Sequence, residues 1–500
     1  MIITFLLFPI FLIVYYLSIS GFGKFFIKVC NLNNQYFDNY KNIEFIFGLI
    51  FIFLFSILIN LITNLNDVIS ILIILLGIIF YVLFFFNNNN KKDVINLIFI
   101  IILISTSFAF YALINDDFNY HFKTISNFKD FNTFEIDHGQ RISYNSHWLL
   151  INAAYYLEYF PASIFCITSI FYSLTLCDLY KSIKRNHLLK NYISSGYSFF
   201  VLIFLVGVLN QYKEYGTDFP GQILLFYFCL LYFENYHLIF KENNKVIIFI
   251  LGILSLFAFS IKISNGLIFL FLIFIFFKFR KKIDFFLVFL CSAIPTLLWF
   301  LQNFIISKCV IWPISITCIN NIDSAKYEMV LIERFAKGDI TTKFEISGIN
   351  WISMWFNNHS IKLLETYGLY FLIMLFPILF LYLRKKDYTY SLFSIGNNIF
   401  KSKSYISFFS IILISNLIWF VQAPAYRFGV FYNLNFIIIF LLFFWYNLIV
   451  INKAVFFKII KILLFISLVF FAYNNITKYK NYIDRHGLIW PNLNAEFVDR

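Results

Sequence analysis

The stretch VINLIFIIILISTSFAFYALINDDFNYH, residues 94–121, runs from a long apolar segment straight into a knot of ionisable groups. As a helix, residues 94–114 are long enough to cross a hydrocarbon core of roughly 30 Å. Asn115-Asp116-Asp117-Phe118-Asn119-Tyr120-His121 then stands where that helix leaves the membrane. Carboxylates are disfavoured at such a depth, by roughly 2.5–3.5 kcal/mol each at a helix centre and less toward the interface. A pair of them with a histidine at a helix exit marks a candidate functional site.

The same apolar texture recurs along the chain, which is 61% hydrophobic, 23% aromatic and only 13% charged, with 72 phenylalanines. A mean hydropathy of +0.79 excludes a soluble globule. Spans are expected near 1–18, 43–63, 67–86, 94–114, 162–180, 193–210, 221–240, 246–262, 266–282, 283–305, 363–383, 405–422, 428–449 and 454–473, about 13–14 in all. The fold class is therefore all-α, a polytopic transmembrane helical bundle. Residues 1–18 lack a basic leader region and a small-residue cleavage site, so they read as a retained span. Richness in Phe, Ile, Asn and Lys points to an AT-rich bacterial genome and says nothing about function.

The net charge of +13 does not call for nucleic acid, because the basic residues fill short loops and orient the helices. Lys24, Lys28 and Lys41 follow the first span; Lys181, Lys184, Arg185 and Lys190 follow the fifth; Lys278, Arg280, Lys281 and Lys282 follow the ninth. Alternation then puts both termini outside, along with residues 115–161, the Tyr215-to-Gly221 turn and the Lys262-to-Gly266 break. The 306–362 loop, the Ala423-to-Phe428 turn and the tail after 474 share that side. The expected organisation is 1–93 as N-terminal helices and 94–305 as a membrane core with its first outer loop at 115–161. An outer loop at 306–362, helices over 363–473 and an outer tail at 474–500 follow.

Within the first outer loop, Phe118, Phe122, Ile125 and Phe128 follow helical spacing, with Lys123, Asn127 and Lys129 on other faces. This predicts an amphipathic helix in the membrane interface, and His147 to Ile151 predicts a second such segment. Asp116 and Asp117 serve either as helix caps or as a general base, with His121 one turn from Asp117. The i,i+4 spacing of Asp117 and His121 also suits a metal, but the proposed chemistry requires none. Arg427, isolated between Pro424 and Gly429, either snorkels or binds phosphate or carboxylate. Lys262 calls for an anionic partner, Asp218 or a bound phosphate; Asp218 itself also reads as a helix start. Trp312, Trp351 and Trp355 fit either an interfacial belt or stacking on sugars. Cys309 and Cys318 share the 306–362 loop and pair if it faces an oxidising compartment, whereas Cys30, Cys166, Cys177, Cys229 and Cys291 read as small core residues.

Taken together, Asp116 to His121 after an early span resembles the first outer loop of GT-C polytopic membrane glycosyltransferases. That resemblance covers mainly residues 94–305. It implies an acidic base in this loop, interfacial helices beside it and a sugar donor on a polyprenyl phosphate. Here three further spans stand upstream of the one that leads into the motif, where in the superfamily the acidic loop usually follows the first helix. The Asp…Tyr-His motif, Asn145-Ser146-His147-Trp148-Leu149-Leu150, Thr217 to Pro220 and Ala423 to Phe428 are also similar to a family of uncharacterised bacterial polytopic membrane proteins, over roughly 110–430.

The expectation is thus a GT-C-like transferase in the bacterial inner membrane, its active site facing the periplasm or exterior. Asp116, Asp117 and His121 form the catalytic set, and Arg141, His147, Asp218, Lys262 and Arg427 the substrate-binding set. The partners are a polyprenyl-phosphate-linked sugar, a glycan, lipid or protein acceptor, and the bilayer. No cofactor is required. Alternatives are a surface-polysaccharide polymerase or ligase and a lipid-linked glycan transporter or flippase.

Overall fold

The computed structural model describes residues 2–32, 40–85, 91–105, 117–136, 142–208, 216–279, 281–320, 322–337, 351–368, 370–372, 374–375, 402–422 and 424–451, with a few isolated positions beyond. Among them the structure is helical, with no named strand. The helices are α1 (Ile2–Val29), α2 (Lys41–Asn60), α3 (Asp67–Phe85), α4 (Lys91–Ser105), α5 (Lys123–Asp130) and α6 (His147–Tyr155). Next come α7 (Cys166–Leu188), α8 (Tyr192–Val208), α9 (Asp218–Glu234), α10 (Tyr236–Phe240), α11 (Lys245–Ile261) and α12 (Phe269–Lys278). The chain continues through α13 (Lys282–Ser307), α14 (Ile322–Ala336), α15 (Trp351–Leu363), α16 (Lys403–Gln422) and α17 (Tyr426–Ile451).

Among the described residues, six helices are long and apolar enough to cross a membrane. Four more apolar helices are shorter, covering Tyr192–Gly207, Lys245–Ile261, Ile263–Lys278 and Arg427–Phe443. Residues 376–383 of the expected 363–383 span and nearly all of the 454–473 span lie outside the described residues.

Helices in lipid gain little by hiding apolar surface from one another, so close backbone approach and interhelical hydrogen bonds hold them. The α1–α2–α3 unit uses glycine for this. A Cβ at Gly21 would lie 1.9 Å from the Gly77 carbonyl oxygen, and one at Gly23 would lie 1.8 Å from that of Glu44. Only a hydrogen fits at either crossing. Serine joins α7 to α8, with Ser182 and Ser198 hydroxyls 2.7 Å apart. In the α16–α17 hairpin the Asn416 amide donates to the Tyr432 carbonyl at 3.0 Å.

Polar pairs gather at two ends of the bundle. One end holds Lys24–Glu44 at 3.9 Å, Arg185–Glu234 at 2.6 Å and Lys245–Asp284 at 3.1 Å. The other holds Lys129–Asp67 at 2.6 Å, the Lys262–Asp218 pair and the Thr133 hydroxyl on Asn60 at 2.7 Å. Helix α2 starts at the first and finishes at the second, as does α11; α9 runs in the opposite sense. The sorting agrees with the alternation read from the basic loops.

Three local expectations change. Lys129 was expected on the polar face of its helix, yet it is buried, because Asp67, the Ser70 hydroxyl and the Tyr156 carbonyl all receive its ammonium. Ile125 and Phe128 of the same helix are buried in the protein core. Helix α6 is not a surface segment: every residue from His147 to Tyr155 is buried, its sequence offering no polar face, and it packs against α2, α3, α5 and α11. Cys166 and Cys229 are buried, but Cys30 and Cys291 are exposed.

Candidate functional site

Helix α11 ends at Ile261, and Lys262 follows in extended backbone before a 3-10 turn over Ile263–Ile268. The ammonium of Lys262 pairs with Asp218, the first residue of α9, and both side chains are half-buried. It also lies 4.4 Å from the centre of the Phe428 ring. From the start of α17, the exposed Arg427 guanidinium sits 5.4 Å from the same ring and 5.7 Å from that of Phe335 on α14. Two cations therefore flank one aromatic ring beside one carboxylate.

Hydrogen bonds fix the segments that present these groups. The Gln222 amide, one turn beyond Asp218, donates to the Arg427 carbonyl at 3.2 Å. The Tyr432 hydroxyl donates to the Ser264 carbonyl at 3.1 Å. The Ser146 hydroxyl caps α6 and donates to the Ile261 carbonyl at 2.7 Å, tying the first outer loop to the residue before Lys262.

His121 closes the constellation from the acidic loop. It belongs to a π-helical turn, Asp117–Phe122, and its ring lies so near Gly216 that a Cβ there would be 2.5 Å from His121 Cε1. Gly216 is two residues before Asp218, so His121 packs against the turn that leads into Asp218. Tyr120 meets Tyr144 edge-on at 6.2 Å, and the Tyr144 hydroxyl donates to Glu328 of α14 at 2.9 Å. Helix α14 thus contacts the site through Phe335 and the first outer loop through Glu328.

Of the residues singled out in the sequence, Asp218, Lys262 and Arg427 come together around Phe428, and His121 packs on the turn before Asp218. Asp117 begins the π-helical turn one turn before His121; nothing is described of its side chain. Asp116 and Arg141 lie outside the described residues. His147 sits apart, 1% exposed, its ring 3.4 Å centroid to centroid from Phe53 and 5.2 Å from Trp299. Neither ring nitrogen has a hydrogen-bond partner among the described residues. Burial pushes its imidazole well below the ordinary histidine range and keeps it neutral. Its neighbour Asn145 does the tying there, donating to Asn303 on α13 at 2.8 Å.

Phe428, Phe335, Gln222 and Gly216 were not singled out as site residues. The first and last lie within or next to quoted turns, whereas Phe335 comes from a separate loop and carries no sequence signal. Trp312, Trp351 and Trp355 are all buried, and the Trp355 indole donates to the Pro424 carbonyl at 2.6 Å, bracing the turn that carries Arg427. Cys309 and Cys318 are disulfide-bonded. Among the described residues, no group of three or more His, Cys, Asp and Glu is placed to hold a metal ion.

The chain belongs to a family described as a domain of unknown function (DUF8201), whose model matches residues 1–434. No curated protein and no solved structure matches it.

Proposed function

We propose that this chain is a membrane glycosyltransferase of GT-C-like architecture, transferring a sugar from a polyprenyl-phosphate donor to a hydroxyl acceptor on the outer face of a bacterial inner membrane. The observation that carries the reading is the meeting of Lys262, Asp218 and Arg427 around Phe428, with His121 packed on the turn before Asp218, at the end of the bundle opposite the orienting lysines. Two cations around one half-buried surface suit a phosphate entering from the lipid side.

In this reading Asp116 or Asp117 removes the acceptor proton and the acceptor oxygen attacks the anomeric carbon. The bond from that carbon to the phosphate oxygen breaks, releasing polyprenyl phosphate. Lys262 and Arg427 neutralise the charge that grows on the leaving phosphate, as cations already in place before the charge develops. One base and direct displacement give inversion at the anomeric centre. His121, one turn from Asp117, holds the acidic loop against Gly216.

The test is transfer of radiolabelled sugar from a panel of polyprenyl-phosphate sugars, in membranes with matched expression. Asp116→Asn, Asp117→Asn, Lys262→Met and Arg427→Met are compared with the wild type. Loss of transfer in one Asn variant, and a raised donor KM in the Lys and Arg variants, are expected. Transfer unaffected by both Asn substitutions rules out the catalytic pair.

The helix break at Lys262 also fits a lipid-linked glycan transporter, since discontinuous helices commonly line transport sites. Movement of the labelled lipid across proteoliposomes with no transferred product would favour that reading.

A further inference from the structure

A second buried polar network occupies the opposite end of the bundle, where α2 begins, α7 runs toward its C-terminus and α9 ends. Its parts differ in how completely they are satisfied. Glu234 accepts from the Arg185 guanidinium at 2.6 Å, from the Ser182 hydroxyl, and from Asn186 and Tyr40. Both of its oxygens are engaged, one by a cation.

Asp178 is not arranged that way. It is 2% exposed, and one carboxylate oxygen, Oδ2, takes both of its donors, the Tyr227 hydroxyl at 2.8 Å and the Asn42 backbone N–H at 3.0 Å. The other oxygen, Oδ1, is buried with no partner among the described residues. Asn42 is wholly buried as well. Its side-chain amide donates to Thr175 at 2.8 Å, one turn before Asp178 on α7, so its carboxamide lies against the same stretch of helix. The oxygen of that carboxamide also lacks a partner among the described residues. Two buried acceptors therefore lie on hydrogen-bonded residues with no donor for either among the described residues.

We propose that Asp178 is a proton-binding site. A proton taken from water at the basic end of the bundle bonds to Oδ1, converting the carboxylate to a neutral carboxylic acid. The same proton turns one of the two bare acceptors into a donor. An unpaired charge inside the bundle is costly, and intramembrane acids commonly mark ion or proton sites. The groups facing Asp178 are Tyr227 of α9, Tyr16 of α1, Cys177 beside it, and Lys181 and Arg185 farther along α7. Of these, Arg185 is already committed to Glu234. The site lies in a seam of three helices, one of which, α9, carries Asp218 at its far end. Loading or releasing the proton changes the charge in that seam. This site stands independently of the transferase reading.

The test is infrared spectroscopy of the purified full-length protein in detergent, titrated from pH 8 to pH 5. A carbonyl stretch of a protonated carboxylic acid, shifted in D2O and missing in Asp178→Asn, is expected. Glu234→Gln should retain it. If Asp178→Asn does not fold, Tyr227→Phe supplies the second variant. Losing a donor to the anionic form should raise the proton affinity about tenfold, moving the band's midpoint up by about one pH unit. A spectrum with no D2O-sensitive band that responds to Asp178→Asn or Tyr227→Phe overturns the proposal. So does a band erased at constant pH by sodium chloride but not by choline chloride, which would make sodium the occupant.

Discussion

Lys129→Met tests how the first outer loop is held. The ammonium donates to Asp67 at 2.6 Å, to the Ser70 hydroxyl at 3.1 Å and to the Tyr156 carbonyl at 3.0 Å, with the Lys129 side chain 1% exposed. Methionine keeps most of the aliphatic stem and removes the charge. Breaking a buried ion pair by removing one partner costs about 3–5 kcal/mol. The Asp67 side chain is 26% exposed, so water takes over part of the lost contact, and its second oxygen keeps the Glu158 backbone N–H. That argues for the lower end. The buried Tyr156 carbonyl, left without this donor, adds about 1 kcal/mol back. A loss of about 3 kcal/mol is expected, on the order of a hundredfold in the folded-to-unfolded ratio. Asp67→Asn should cost at least as much, because it strands the more deeply buried partner, and the double variant should recover about 2 kcal/mol of the summed losses. The assay is reversible unfolding in mixed detergent micelles for all four proteins. A Lys129→Met loss below about 0.5 kcal/mol, or strict additivity, refutes the view that this pair fastens α5 to α3.

Cys309 and Cys318 should react with a maleimide only after reduction, and replacing both by serine should cost about 2–3 kcal/mol from the loop-closure entropy of a nine-residue separation; thiols reactive without reductant would put the loop on a reducing side. His147 makes acid destabilising. The unfolded chain binds a proton on this residue below about pH 6.5, and the folded chain does not, so the stability it contributes is intact above that value and falls as pH drops. From pH 7.5 to 5.5 the loss is about 1.4 kcal/mol, and His147→Phe should remove that share of the pH dependence; equal slopes in the two proteins would refute a buried neutral imidazole.

Much of the candidate site was legible because its residues break an apolar pattern. Lys262 interrupts a span, Arg427 stands alone at a helix start, and Asp218 and His121 sit at helix ends, so each stood out against its neighbours. Asp178 and Glu234 did not stand out, since each lies near a basic cluster whose positive charge offered an ordinary explanation. Lys129 misled for a related reason: helical spacing placed it on a polar face, and only the arrival of Asp67 from a distant helix made its burial tolerable. His147 looked like a binding residue from its motif, but the motif's contact with the Lys262 break is made by Ser146.

By itself the sequence determined that the chain is a helical membrane protein, which ends of its helices share a side, and that unusual charges collect on one of those sides. These follow from hydropathy and charge, which act locally and are read one segment at a time. Tertiary structure alone decided that Lys262 takes Asp218, that Lys262 and Arg427 both reach Phe428, that Phe335 joins them, and that His121 packs on Gly216. It also decided that both Glu234 oxygens are engaged while one Asp178 oxygen has no partner among the described residues. Such pairings depend on which helices pack together, and packing in lipid is set by the fit of small residues and hydrogen bonds between distant segments, which no local pattern records.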